Sequence, residues 1–173
     1  TAFFEDKKVV FILPYGNDEL LIGTEQSGVY VFDNSVSPQK NNKIKKWKSP
    51  WQTDFSVNQL NKGIRLSNGD FALATILSGV YILDKNGQPK FHLNRQTGLP
   101  DNTVLSLAED QAGNLWLGLE KGVALVNLNN TLRFYRDVEG ELGTVYTAAQ
   151  FEGHLYVGTN RGVFYKKNTN VNS

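Results

Sequence analysis

The chain of 173 residues contains no cysteine and no methionine, and its 18 basic side chains are balanced by 17 acidic ones. The lack of cysteine excludes a disulfide scaffold, a thiolate nucleophile and a zinc site with cysteine ligands. Balanced charge argues against a general nucleic-acid-binding protein, which carries a strongly basic surface, so we expect no nucleic acid partner. The longest apolar run, Val9 to Leu13, is far shorter than the roughly 20 residues of a membrane-spanning helix.

The absence of methionine, together with Thr1 as first residue, leads us to expect a processed or excised piece of a longer protein. The sequence has no charged and apolar leader followed by a cleavage site, so a targeting signal would lie upstream of it.

The sequence repeats itself at intervals typical of propeller blades. The string Gly-Asn-Leu-Trp-Leu-Gly ending at Gly118 recurs as Gly-His-Leu-Tyr-Val-Gly ending at Gly158, and looser copies end at Gly23 and Ala74. A Gly-Val pair follows each copy, at positions 28, 79, 122 and 162, with spacings of 51, 43 and 40 residues. Periods of 40 to 50 residues made of strands indicate a β-propeller.

Each repeat reads as short runs of β-branched and aromatic residues separated by turn residues, without a sustained helical period. We therefore predict an all-β fold of about four four-stranded antiparallel blades within a single propeller segment covering residues 1–173. The blade repeats are predicted at residues 7–48, 58–95, 99–137 and 143–166. Outer strands are predicted at Lys43–Lys48, Lys90–Asn94 and Thr131–Asp137.

No outer strand follows the last repeat, whereas Thr1–Asp6 resembles Thr131–Asp137. Residues 1–6 are therefore predicted to be an outer strand, which either closes a small ring or belongs to a preceding blade. We favour an arc of a larger propeller. Its apolar end faces would then be covered by the remaining blades or by a second copy, most simply in a symmetric homodimer.

The segment from Gly98 to Gly118, with Gly122 and Val123, resembles the two-component regulator propeller repeat. The match consists of Gly-Leu-Pro, Glu109-Asp110 and Gly-Asn-Leu-Trp-Leu-Gly; the fourth copy is partial and the first two are degenerate. The resemblance implies the extracytoplasmic input region of a bacterial hybrid histidine kinase, whose signalling domains lie elsewhere in the parent chain. It also implies a periplasmic location, with the cytoplasm as the alternative, because related proteins couple such repeats to cytoplasmic DNA-binding domains.

The loops that enter the first strand of each blade are the best candidates for a binding site, since they surround the channel mouth of a propeller. Amides, carboxylates and aromatic rings in them suit saccharide recognition, although such residues are also ordinary in loops. The candidates are Trp51, Asn58, Gln59, Asp101, Asn102, Thr144 and Tyr146. We expect no catalytic residue, no cofactor and no metal site, because His92 and His154 lack partners at useful spacing.

Tryptophans, threonines and lysines form three further sets of side chains that stand out in the sequence. Trp116 is predicted to lie buried between blades, and Trp47 to matter less on an outer strand. Thr24, Thr75 and Thr159 are predicted to bond backbone groups at a turn, where the third repeat has Leu119. The lysines from Lys43 to Lys48, beside Trp47 and Trp51, suit either a solvated outer strand or an anionic polymer site.

The leading hypothesis is a sensor module that detects a saccharide and signals to a kinase in the parent chain. The alternatives are a propeller enzyme acting on carbohydrate and a protein-interaction scaffold. The identity of the ligand, the number of blades in the parent protein and its output domain are left open by the sequence.

Overall fold

A computed structural model of the chain describes residues 2–36, 43–128 and 140–167. Within these residues, fourteen strands form four separate antiparallel sheets. The sheets fall into two compact units, of which the first holds three sheets and the second holds one. The predicted all-β fold of antiparallel blades is confirmed, and we number the sheets as blades 1 to 4.

Every blade is a meander, because its strands lie side by side in chain order. Blade 1 contains β1 (Val9–Pro14), β2 (Glu19–Thr24), β3 (Gly28–Asp33) and β4 (Ile44–Lys46), and blade 2 contains β5 (Leu60–Arg65), β6 (Phe71–Thr75), β7 (Val80–Leu83) and β8 (Pro89–Leu93). Blade 3 contains β9 (Val104–Glu109), β10 (Asn114–Leu119) and β11 (Val123–Asn127), and blade 4 contains β12 (Val145–Phe151), β13 (His154–Thr159) and β14 (Gly162–Lys167). The outer strand predicted at Thr131–Asp137 lies outside the described residues.

The outer strand predicted for residues 1–6 is wrong, because Ala2–Phe4 form a 3₁₀ helix. The rings of Phe3 and Phe4 both pack edge-on against Tyr30 of β3, with centroids 5.2 and 5.7 Å away. Lys7 N–H donates to the carbonyl of Phe4, which closes the turn. Aromatic packing on blade 1 therefore takes the place of strand pairing.

A short helix, α1 (Gln52–Val57), precedes blade 2 and was not predicted. Six residues are too few to produce a helical period in the sequence. The Gln52 side chain holds the helix to blade 1, because its amide nitrogen Nε2 donates to the carbonyls of Val29 (2.8 Å) and Trp47 (2.7 Å). Phe55 projects from the helix into the core and is fully buried.

The core between blades 1 and 2 is built from alternate residues of their strands, with α1 contributing one side chain. Phe11 of β1 sits against two glycines, Gly23 of its own blade and Gly63 of blade 2. A Cβ at Gly63 would come within 2.7 Å of the Phe11 ring, so only glycine allows this approach. The buried set comprises Phe11, Leu21, Val29, Trp47, Phe55, Leu60, Phe71, Leu73, Tyr81 and Leu83.

The core between blades 2 and 3 uses the opposite faces of β6 and β7. Ala72 and Ala74 alternate with Phe71 and Leu73, as the two-residue period of a strand requires. Blade 2 is thus buried on both faces, which explains why all residues of β6 and β7 are buried. The second core comprises Leu66, Ala72, Ala74, Val80, Ile82, Leu99, Val104, Leu115, Leu117 and Leu119.

The two tryptophans exchange the environments predicted for them. Trp116 is 42% exposed, and its indole N–H donates to the Asp110 carboxylate at 3.0 Å. Trp47 is only 3% exposed, because it follows β4 back into the first core and packs edge-on against Tyr15 and Phe71. The predicted ranking of these two residues is therefore wrong.

Among the residues that the structure describes, no helix has the length and apolar character needed to cross a membrane.

Candidate functional site

One edge of every blade joins the entry loop, which precedes the first strand, to the hairpin between the second and third strands. In each blade a carbonyl of the entry loop accepts the first amide of that hairpin. The donor and acceptor pairs are Glu25 and Lys8 (2.9 Å), Ile76 and Gln59 (3.0 Å), Glu120 and Thr103 (3.1 Å), and Asn160 and Thr144 (3.1 Å). We call this edge the entry edge, and its backbone groups are satisfied by this repeated bond.

Threonine hydroxyls fix the same hairpins, as predicted. The hydroxyls of Thr24 and Thr75 donate to the carbonyls of Gly28 and Gly79, at 2.7 and 2.9 Å. Thr159 makes the corresponding bond to Gly162 at 3.2 Å. Blade 3 has Leu119 instead, whose side chain is buried in the second core, so packing replaces the hydroxyl bond there.

The hairpins of blades 1 and 2 are also bonded to the entry loop of the blade that follows. Leu60 N–H donates to the carbonyl of Glu25 at 2.9 Å, and Gly79 N–H donates to the carbonyl of Asn102 at 2.8 Å. Backbone bonds therefore connect the entry edges of blades 1, 2 and 3 in sequence.

Three of the predicted site residues bond to the β6–β7 hairpin (residues 76–79) through their backbone carbonyls. The carbonyls of Asn58 and Gln59 accept the amides of Leu77 and Ile76, at 3.2 and 3.0 Å. Gln59 has a φ of 56°, a left-handed backbone conformation that is uncommon for a residue other than glycine. On the other side of the hairpin, the carbonyl of Asn102 accepts Gly79 N–H.

Side chains of the blade 3 entry loop are used to shape that loop. The Asn102 side-chain oxygen accepts Arg95 N–H at 2.8 Å, and the Asp101 carboxylate accepts Thr103 N–H at 3.1 Å. Both residues are half-buried. These bonds fix the loop from which the Asn102 carbonyl reaches the β6–β7 hairpin.

Trp51 joins the same region through an aromatic cluster that the sequence analysis missed. Its ring lies edge-on to Tyr81, with centroids 5.0 Å apart, and 6.0 Å from the ring of His92. His92 stacks on Tyr81 at 4.0 Å. Tyr81 and His92 are direct cross-strand partners on β7 and β8, where aromatic pairs are favoured, and this pairing becomes visible only with the strand register.

Polar groups complete this cluster. The Asn58 side-chain amide donates to the Tyr81 hydroxyl at 3.2 Å. His92 Nε2 lies 2.7 Å from the carbonyl oxygen of Ser78 and 3.2 Å from its hydroxyl oxygen. Burial raises the pKa of Tyr81, and the nearby charge of Asp54 adds to this effect. The Tyr81 side chain is thus a neutral hydrogen-bonding group at ordinary pH.

Thr144 and Tyr146 belong to the second unit. Thr144 N–H donates to the Asn160 side chain at 2.8 Å, which repeats the entry-edge arrangement of blade 4. Tyr146 lies on β12 and is 73% exposed. Their grouping with the other five candidates stays a prediction.

One of the two indoles beside the basic segment around β4 is closed to a ligand. Trp47 is buried, so its ring is not available to a ligand. The Lys43 ammonium lies 5.2 Å from the centre of the Phe32 ring. The pKa of Asp33 is lowered chiefly by its bond to the Ser35 hydroxyl, with a smaller contribution from the charge of Lys45. The burial of Trp47 favours the interpretation of these lysines as a solvated outer strand.

The described residues contain no group of three or more histidines, aspartates or glutamates placed to hold a metal ion. The second histidine, His154, bonds the carbonyl of Glu152 through Nδ1 at 2.9 Å.

Comparisons with known proteins agree with the repeat analysis. Residues 98–121 match the family model described as two component regulator propeller. The extracellular domains of two hybrid two-component systems from B. thetaiotaomicron superpose with TM-scores of 0.54 and 0.52, at 16% and 20% identity over 95% and 92% of this chain. The chain spans only 22% and 20% of those structures.

A computationally designed protein, Ika4, gives a TM-score of 0.52 at 11% identity, with 94% of this chain and 92% of that chain covered. No curated protein sequence matches the chain. Four consecutive antiparallel meanders, of which blades 1 to 3 pack face to face, define the class of this molecule, which is a β-propeller segment. Within this segment, the third repeat is similar to the two component regulator propeller repeat.

Proposed function

We propose that this chain is part of the extracytoplasmic input propeller of a two-component sensor, and that it detects a saccharide at the entry edge of blade 2. The observation that carries the proposal is that the carbonyls of Asn58, Gln59 and Asn102 all bond to the β6–β7 hairpin. Trp51 packs against Tyr81, whose hydroxyl accepts the Asn58 amide, and Asp101 precedes Asn102 in the same entry loop. The family repeat and the likeness to extracellular sensor domains support the sensor role.

The chemistry of this region fits a sugar. Saccharide hydroxyls need both donors and acceptors, and the entry loops of this region carry side-chain amides and a carboxylate. Trp51 is half-buried, so part of its ring is open to a sugar face. Entry-loop positions fixed in advance by hydrogen bonds lose little freedom when a ligand binds.

In this proposal the segment is not an enzyme and needs no cofactor. It lies in the periplasm, and the remaining blades and the signalling modules of its parent chain are its covalent partners. The isolated segment forms a symmetric homodimer, because Ile12 and Leu20 of blade 1 are exposed apolar residues on one face.

Calorimetric titration with cello-, xylo-, malto- and galacturonate oligosaccharides tests the saccharide proposal. We expect heat with at least one member of the panel and no change in the saccharide after incubation. Replacing Trp51 by Ala should weaken that binding about tenfold, the scale of one aromatic contact. Trp116→Ala is the matched control, because it removes a partly exposed indole from blade 3.

The thermal unfolding curves of both variants establish that they remain folded. Turnover of a saccharide that a single carboxylate or histidine substitution abolishes would contradict the sensor proposal in favour of an enzyme. Equal losses of affinity in the two variants would contradict the placement of the site.

A further inference from the structure

The sequence contains two Asn-Gly pairs, Asn68-Gly69 and Asn86-Gly87, and both occupy the same position in a tight turn. Gly69 N–H donates to the carbonyl of Leu66 at 2.9 Å, and Gly87 N–H donates to the carbonyl of Asp84 at 3.0 Å. Both glycines have a left-handed φ, 87° and 82°. Both asparagines are exposed. The turns therefore form a matched pair on blade 2.

The two asparagine side chains differ in their bonding. The Asn68 amide nitrogen donates to the Asp70 carboxylate at 2.9 Å, and its oxygen accepts Asp70 N–H at 2.9 Å. The Asn86 side chain makes no hydrogen bond within the described residues; only its backbone N–H is bonded, to Asp84 at 2.8 Å. One amide is held at both ends, and the other is free to rotate.

From this contrast we propose that Asn86 is a site of spontaneous deamidation, while Asn68 is protected. The Gly87 backbone nitrogen attacks the side-chain carbonyl carbon of Asn86, forming a C–N bond. The bond from that carbon to the amide nitrogen breaks, and ammonia leaves with the proton of the Gly87 amide. Water then opens the cyclic imide to aspartate or isoaspartate. Glycine favours the attack because it has no Cβ to obstruct it.

The product at position 86 has a structural consequence that the same product at position 68 would not have. A Cβ built on Gly87 would lie 2.5 Å from the carbonyl oxygen of Lys48 and 3.0 Å from the ring of buried Trp47. Nothing lies within 4 Å of the corresponding point on Gly69. An isoaspartate adds a methylene to the main chain directly before Gly87, so the turn must shift against the first core.

Peptide mapping by mass spectrometry, after timed incubation of the folded protein in mildly alkaline buffer, tests the proposal. Two hydrogen bonds must break before Asn68 can react, so deamidation should be about tenfold faster at Asn86. The isoaspartate-containing fraction, separated by ion exchange, should unfold at a lower temperature than the unmodified protein. An Asn86→Gln variant should lose the fast reaction and leave Asn68 unchanged.

The same incubation in concentrated urea separates the effect of the fold from that of the sequence. Unfolding releases Asn68, so the two sites should then react at similar rates. A folded protein in which Asn68 reacts as fast as Asn86 would overturn the proposal. A difference of the same size in urea would also overturn it, because the neighbouring residues rather than the fold would then set the rates.

Discussion

At the scale of single residues, Trp47 and Trp116 provide the sharpest comparison. Replacing Trp47 by Ala should cost about 3 to 5 kcal/mol of unfolding free energy, because the removal of a large buried ring leaves a cavity in the first core. Trp116→Ala should cost distinctly less, because its ring is 42% exposed. Urea unfolding of both variants measures the difference. A larger loss for Trp116 would show that the burial assignment is wrong.

Asp110 organises the turn of blade 3 between β9 and β10. Its carboxylate accepts the N–H groups of Ala112 and Asn114, the Asn114 side chain and the Trp116 indole. These bonds, led by the one from the Asn114 side chain, lower the pKa of Asp110 to about 2. The repeat's Glu-Asp pair thus has a structural role at its second position.

This lowered pKa makes a pH-dependent contribution to stability. The carboxylate stabilises the fold fully above its ordinary pKa of 3.8, and the contribution disappears as the pH falls through about 2. Asp110→Asn should therefore lower the urea midpoint near neutral pH, and its deficit should shrink across that acid range. Gln111→Ala, a neighbouring change without a charge, should show no such trend. A deficit independent of pH would contradict this account.

At the scale of elements, Glu109, the first residue of the Glu109-Asp110 pair, links two blades. The Glu109 carboxylate accepts both the backbone N–H and the hydroxyl of Ser67, each at 2.7 Å. Ser67 lies in the turn between β5 and β6 of blade 2. A carboxylate on the first strand of one blade therefore holds the turn of the preceding blade.

A double-mutant cycle with Glu109→Gln and Ser67→Ala measures this link. We expect a coupling of about 1 kcal/mol, the usual worth of a hydrogen bond near the surface. Additive losses, with no coupling, would show that the contact does not contribute to stability. Asn61→Ala offers a comparison, since Asn61 bonds the blade 3 backbone through its amide and does not touch Glu109.

The blades could be predicted from sequence because strand period, turn glycines and repeat spacing are local properties. The first spacing of 51 residues is longer than the other two, and it contains α1. The helix itself, the 3₁₀ turn of Ala2–Phe4 and the burial of Trp47 depend on contacts with distant residues such as Tyr30 and Phe71. Tertiary packing of this kind leaves no local pattern.

The candidate site was predictable only in part for a related reason. Entry-loop positions follow from the repeat register, so Asn58, Gln59 and Asn102 could be named from the sequence. Their meeting at the β6–β7 hairpin depends on backbone carbonyls, which every residue possesses. Tyr81 and His92 looked like ordinary strand residues until their stacking was visible.

At the scale of the whole molecule, the exposed face of blade 1 predicts self-association of the isolated chain. Ile12 is 58% exposed and Leu20 36%, on the face whose far end is covered by Phe3 and Phe4. Light scattering should give the mass of a dimer, and Ile12→Lys should shift it toward the monomer. Val57→Lys, at an exposed position on α1, should leave the mass unchanged. A monomer at all concentrations would refute the dimer.

The most direct test of the saccharide proposal is an amide-resolved NMR titration of the chain with the same oligosaccharide panel. The account predicts that a binding saccharide shifts the amide signals of residues 76–79, Asn58, Gln59 and Asn102, and leaves those of β4 unchanged. Shifts confined to the lysines of β4, or no shifts with any member of the panel, would contradict it.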